Sequence, residues 1–164
     1  IGCNKGGQLE NVLSNVRLLR ERSETPYDCL IYTYREKASL GLSDEQWDYL
    51  DTHCRMLYYK DGQFAAILKT VTPAHVADGG YSHVMVLLDD VSLYSFSLDD
   101  ALQEAVQHDL AVVTPLVIGA QSPPTRWTSR AKKVGGGALV NHVEFFLTVF
   151  DAAAWACFWE LLDP

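Results

Sequence analysis

The chain lacks any run near the ~18–20 uninterrupted apolar residues of a membrane-spanning helix, because Asp, Asn or Pro breaks its longest apolar stretches. No membrane contact is therefore expected from this segment. It also lacks the basic start, apolar stretch and small-residue site of a secretory signal. Basic charge is scarce: 13 Lys and Arg stand against 21 Asp and Glu, a formal net charge of −8. An acidic surface repels phosphate backbones, which argues against nucleic acid as a partner. Neither a G-x-G-x-x-G nor a P-loop occurs, and that sets aside a dinucleotide-binding redox domain. The four cysteines, Cys3, Cys29, Cys54 and Cys157, include no C-x-x-C pair and no His at zinc-ligand spacing. Cys29 and Cys54 lie in apolar runs, where a free thiol acts as a small buried hydrophobe. Packing is the expected role of all four, with a disulfide left open.

What is present fits one soluble-type domain. At 164 residues the chain is long enough to bury roughly 70% of its unfolded surface. Apolar residues make up 48% and charged residues 21%, the ordinary globular balance. It opens at Ile1 and stops at Asp163-Pro164 after an apolar helix, so residues 1–164 read as one domain cut from a longer protein.

Periodicity places the elements. Gln8–Arg22 carries Leu9, Val12, Leu13, Val16 and Leu19 at helical spacing. Tyr27–Tyr34 reads as a buried strand. Ser43 with Gln46 three positions on is a capping box for a helix to about Leu50. Cys54–Tyr59 is a second strand; Gln63–Val71 is helical, with Pro73 ending or kinking it. His83–Leu88 is apolar on both faces, as strands covered by helices on both sides are. Leu98–His108 is a helix with Leu98, Ala101, Leu102, Ala105 and Val106 as its buried stripe. Leu110–Ile118 is a strand with Pro115 at an edge or bulge. A loop over Gly119–Gly137, a strand over Val143–Phe150 and an Asp151-capped helix from Ala152 to about Leu162 complete the chain. This alternation predicts a three-layer α/β domain with a mostly parallel, doubly wound sheet.

Ligands of open α/β sheets bind beyond the carboxyl ends of the strands. Asp89 and Asp90 stand at such an end, and a carboxylate pair there suits Mg²⁺ or Mn²⁺. Neighbours in an extended strand point to opposite faces, so both reach one ion only where the strand has already turned. A solvated turn is the plainer alternative. Gly2, Asn4, Gly6 and Gly7 precede the first helix, whose free N–H groups suit an anion, although a flexible start explains them equally well. His53, His75, His83 and His108 are scattered. His142 and Glu144 flank Val143 and fall on one face of a strand. Arg126, Arg130, Lys132 and Lys133 sit before Gly135-Gly136-Gly137, either as a solvated loop or as a lid over an anionic ligand. Trp127 in that loop can stack on a base or sugar.

The run from Tyr27 to Pro164 resembles a family of eukaryotic proteins labelled lysine-ketoglutarate-reductase trans-splicing-related, grouped with glycosyltransferases of the GT-A fold. The resemblance rests on Tyr81–Phe96 (YSHVMVLLDDVSLYSF), Leu110–Pro115 (LAVVTP) and Val143–Trp159 (VEFFLTVFDAAAWACFW). The last is the most specific, with its Ala-Trp-x-Cys-x-Trp pattern. Nothing in the residues supports the reductase of that label. The family carries an acid-x-acid triplet after the strand, which in GT-A enzymes binds a divalent cation and the diphosphate of a nucleotide sugar. Laid over this chain the triplet falls on Leu88, Asp89 and Asp90, with its first acid replaced by Leu.

The resemblance implies a metal-dependent glycosyltransferase in the secretory pathway or Golgi, using a nucleotide sugar and a glycan, protein or lipid acceptor. Asp90, helped by Asp89, is the implied ligand pair for Mn²⁺ or Mg²⁺, with Asp89 also placed to meet ribose. On that reading Gly2, Arg126 and Trp127 are the expected donor contacts, and Glu144, on the strand after the loop, is the expected catalytic residue, orienting the acceptor hydroxyl or acting as base. Leu88 is the departure, and it opens the alternative of an inactive GT-A-like binding or scaffold module.

Overall fold

The computed structural model describes residues 2–3, 6–60, 63–115, 132–134, 137–139 and 145–162. Strand β1 (Gly2–Cys3) leads into helix α1 (Gly6–Arg22), which buries Leu9, Val12, Leu13, Val16 and Leu19, the stripe that its 3.6-residue period dictates. Strand β2 (Leu30–Thr33) follows, then helix α2 (Asp44–His53) and strand β3 (Arg55–Tyr58). The capping box forms as expected: Ser43 Oγ accepts from the Gln46 N–H at 3.3 Å, and Gln46 Oε1 accepts from the Ser43 N–H at 2.9 Å. These three strands lie in the order β1-β2-β3 and are parallel, with Gly2 opposite Tyr32 and Leu30 opposite Arg55. Helices α1 and α2 pack Leu9, Val12, Leu13, Val16, Trp47 and Leu50 against Ile31.

Next come helices α3 (Phe64–Lys69) and α4 (Pro73–Asp78) and strand β4 (His83–Leu87). Pro73 does more than end a helix: it begins another, because a missing N–H costs nothing in a first helical turn. Thr72 caps that turn, its hydroxyl accepting from the His75 N–H at 3.0 Å. Helix α5 (Leu98–Gln107) buries Leu98 and Ala105. Val106, expected in the same stripe, is 74% exposed, since its 100° offset from Ala105 carries it off the packed face. Strand β5 covers Val112–Val113 among the described residues, where Leu110–Ile118 was expected; residues 116–118 lie outside the described residues. Strands β6 (Lys132–Val134) and β7 (Gly137–Leu139) pair antiparallel, β6 inside the segment expected to be loop and β7 starting at its last residue. Strand β8 (Leu147–Asp151) and helix α6 (Ala152–Leu161) complete the fold. Asp151 caps α6, its carboxylate accepting from the Ala154 N–H at 2.6 Å.

The domain is mixed α/β, and the expected parallel pairing holds over β1–β3. The second sheet has the order β4-β8-β5, and β8 runs antiparallel to both neighbours, with His83 opposite Asp151 and Val112 opposite Phe150. A strand buried on both faces has the same apolar pattern read in either direction, so its sequence carries no polarity. Strands β4 and β8 are covered on both faces. Val84, Val86 and Phe150 meet Leu68 of α3, Val76 of α4 and Trp155 of α6. On the other face Met85, Leu87 and Leu147 meet Leu19 of α1 and Leu98 of α5. The tryptophans of the Ala-Trp-x-Cys-x-Trp segment are structural: Trp155 Nε1–H donates to the Val71 carbonyl at 2.8 Å, and Trp159 Nε1–H to the Lys69 carbonyl at 3.1 Å.

The cysteines depart from simple packing. Cys29 and Cys54 are joined in a disulfide, Cα to Cα 4.5 Å, where β2 and β3 begin side by side. Cys54 also lies in the α1–α2 core, so apolar burial and bonding coincide there. Cys157 is exposed instead of packed, because the buried face of α6 belongs to Trp155. The side chain of Cys3 lies outside the described residues.

Two measurements check this account. Replacing both Cys29 and Cys54 by Ala removes a cross-link between residues 25 apart, and urea unfolding should show a loss of about 3 kcal/mol. Asp99, at the start of α5, accepts from Ser23 Oγ at 2.9 Å, the Glu24 N–H at 2.8 Å and Thr25 Oγ1 at 2.6 Å. These bonds, the Thr25 hydroxyl foremost, lower its pKa to about 2. A depressed carboxylate stabilises the fold above its unfolded value, about 3.9, and that stabilisation disappears as pH falls toward 2. Asp99→Asn should therefore be less stable than wild type at pH 7, with the gap closing between roughly pH 4 and 2 in denaturant titrations.

Candidate functional site

Strand β4 ends at Leu87, and the chain turns at once. The Leu88 N–H still bonds to the Phe146 carbonyl at 2.9 Å, and the Val91 N–H closes a turn on the Leu88 carbonyl at 3.4 Å. Leu87 and Leu88 pack into the core between α1 and α5, so the turn consists of Asp89 and Asp90. Two asparagines on α1 hold it. Positions 11 and 15 are one helical turn apart and share a face. Asn11 Nδ2–H donates to the carbonyls of Asp89 at 2.7 Å and Val91 at 2.9 Å. Asn15 Nδ2–H donates to the Val91 carbonyl at 2.7 Å, and its Oδ1 accepts from the Leu93 N–H at 2.9 Å. Carbonyl partners on one side and an N–H on the other leave a single sensible orientation for each amide.

The condition for two adjacent carboxylates to serve one ion, a strand that has already turned, is therefore met. Asp90 is exposed and Asp89 half-buried. Asp89 Oδ2 is enclosed and finds no hydrogen-bond partner among the described residues. Burial raises the pKa of Asp89 above the ordinary carboxylate value; its own backbone N–H pulls the other way, and the Asp90 charge adds to the rise. Tyr34, just past the end of β2, has its phenol pKa raised by burial and then by the Asp89 charge. The carboxyl ends of β2 and β4 thus lie within electrostatic reach of each other.

A carboxylate oxygen enclosed without a donor among the described residues is compatible with a cation, and a carboxylate pair is how Mg²⁺ or Mn²⁺ is commonly held beside substrate phosphates. The protein alone supplies two acids: among the described residues no group of three or more His, Cys, Asp or Glu converges on a metal position. Leu88, where the family triplet begins, faces the core.

The other expected residues divide clearly. Gly2 lies in β1, paired with Tyr32 on the sheet that carries Tyr34. Arg126, Trp127, His142 and Glu144 lie outside the described residues. The remaining histidines make local contacts: His108 with Glu104 at 3.3 Å, His83 with Ser82 at 3.0 Å, and His53 against the Tyr49 ring at 4.5 Å. Asn11, Asn15 and Tyr34 were not foreseen. Asn15 did leave a signal: it stands among Val12, Val16 and Leu19 at core-facing spacing, and a polar residue there needs a bonded partner.

Comparison of the chain with family models, with curated proteins and with solved structures gives no match.

A raised carboxyl pKa means that the fold disfavours the ionised form, so Asp89 costs stability as pH rises above its unfolded value. Asp89→Asn should accordingly melt higher than wild type at pH 7 in chelator. The difference should vanish below about pH 3.5, where the unfolded carboxyl is itself protonated. Calorimetric scans at the two pH values check it.

Proposed function

We propose that this domain binds a nucleotide sugar in a metal-dependent glycosyltransferase, on a GT-A-like, doubly wound sheet. The observation that carries the reading is the Asp89–Asp90 turn, where an exposed carboxylate adjoins one with an enclosed oxygen that has no partner among the described residues, at the carboxyl end of β4. Open α/β sheets bind their ligands at that edge. Asp90 and Asp89 are the pair that would hold Mn²⁺ or Mg²⁺, and such an ion neutralises charge developing on a diphosphate leaving group. Asp90 is open to the incoming ligand, and Asp89 holds charge behind it. Tyr34, whose phenol pKa is held up by burial and by the Asp89 charge, would be the aromatic residue of the same edge. Gly2, the first residue of β1, would let a ligand approach the backbone closely. Arg126 and Trp127 close over the donor, and Glu144 orients or deprotonates the acceptor hydroxyl of a glycan, protein or lipid.

Three features support this arrangement. Strands β1–β3 are parallel. In the second sheet β8 alone is reversed, so β4 and β5 run the same way. Helix α1 packs on both sheets. The Cys29–Cys54 disulfide supports an oxidising, secretory-pathway address, where such bonds persist.

A second reading, an inactive binding or scaffold module, is favoured by Leu88, which puts an apolar core residue where the family has an acid. Calorimetry with Mn²⁺ and nucleoside-diphosphate sugars decides. Enzyme and donor should bind only with the metal, and Asp90→Ala should weaken binding by more than about tenfold, some 1.4 kcal/mol. Equal binding by that variant rejects the site. Binding of donor with no hydrolysis or transfer selects the scaffold.

A further inference from the structure

We infer that Asn11 is a positioning residue for the Asp89–Asp90 carboxylates, acting through the peptide unit that joins them. The inference rests on the reading of that turn as a cation site. The peptide between Asp89 and Asp90 is planar, so its orientation sets ψ of Asp89 and φ of Asp90 together. Those two angles decide how the two side chains leave the backbone relative to each other. The carbonyl of this peptide belongs to Asp89, and Asn11 Nδ2–H holds it at 2.7 Å. The same amide holds the Val91 carbonyl at 2.9 Å, so its two N–H groups span the turn on either side of Asp90.

The two asparagines are not equivalent. Val91 keeps a second donor in Asn15, at 2.7 Å, and the Leu93 N–H keeps its bond to Asn15 at 2.9 Å. The Asp89 carbonyl accepts from Asn11 alone among the described residues. Loss of Asn11 therefore frees the Asp89 peptide to rotate, while Asn15 keeps the following segment docked on α1. Asn15 is 1% exposed and belongs to the core; Asn11 is half-buried, at the margin of the turn. Asn11 acts on the turn through its side-chain N–H groups, both of which are donated to carbonyls.

Mn²⁺ titration followed by the electron paramagnetic resonance of the free ion tests this on wild type, Asn11→Ala and Thr25→Val. The last variant removes the Thr25–Asp99 bond away from the turn and serves as a purely structural control. Asn11→Ala should bind Mn²⁺ at least tenfold more weakly than wild type, while melting no lower than Thr25→Val. Thr25→Val should bind Mn²⁺ as wild type does. If Asn11→Ala does not fold, Asn11→Ser carries the same comparison. Wild-type Mn²⁺ affinity in the Asn11 variant overturns the positioning role and leaves the site standing. Equal weakening in Thr25→Val reduces Asn11 to general stability and also overturns the role. Absence of Mn²⁺ binding by wild type overturns the site and the role together.

Discussion

A buried side-chain amide joins the two halves of this fold. Asn15 sits in the apolar face of α1, and an unbonded amide there would cost about 1–3 kcal/mol. It is bonded only when the segment after β4 lies against α1 in one register, with the Val91 carbonyl and the Leu93 N–H opposite its two ends. Apolar packing alone would let that segment slide, because Leu, Val and Phe side chains accept many neighbours. The amide does not. Its geometry fixes where β4 stops and where the chain turns, and the Asp89–Asp90 pair follows from that stop.

The grip continues along the helix. Arg22 at the end of α1 bonds to the Tyr94 carbonyl at 2.6 Å, and beyond it Ser23, Glu24 and Thr25 converge on Asp99. One helix is thus bonded, from its second turn to the residues past its end, to the connection between β4 and α5. This connection lacks regular structure of its own, and its order comes from α1. The first sheet is tied at the start of β2 and β3 by the Cys29–Cys54 bond. Covalent closure stands where β2 and β3 begin, and the reversible, hydrogen-bonded turn stands in the other sheet, where β4 ends.

Much of this was legible in the residues, and what was missed shares one physical cause. Helix spans, the Ser43 box, the Asp151 cap and the two-sided burial of β4 follow from local spacing, and each was readable. The direction of β8 was not, because a doubly buried strand has no polarity in its pattern. The pairing of Cys29 with Cys54 was not, because it depends on β2 and β3 becoming neighbours. Pro73 was read as a stop although it serves equally well as a start, and only the Thr72 hydroxyl shows which. At the site, Asp89 and Asp90 stood out as acids after an apolar run. Asn11 and Tyr34 did not, since their importance comes from contacts more than fifty residues away in sequence. Glu144, Arg126 and Trp127 lie outside the described residues, and their roles rest on residue type, position in the chain and the family resemblance.

Pro115, two residues past β5, has a consequence of its own. Among the described residues β5 is an outer strand of its sheet, and an outer strand offers unpaired N–H and C=O groups to any other chain that can extend the ladder. Val112 and Val113 pair with β8, and Pro115 follows without an N–H to give. An extended apolar run such as LAVVTPLVI would otherwise be a template for aggregation. The proline interrupts that run beside one of the sheet's two outer strands, and so weakens it as a template.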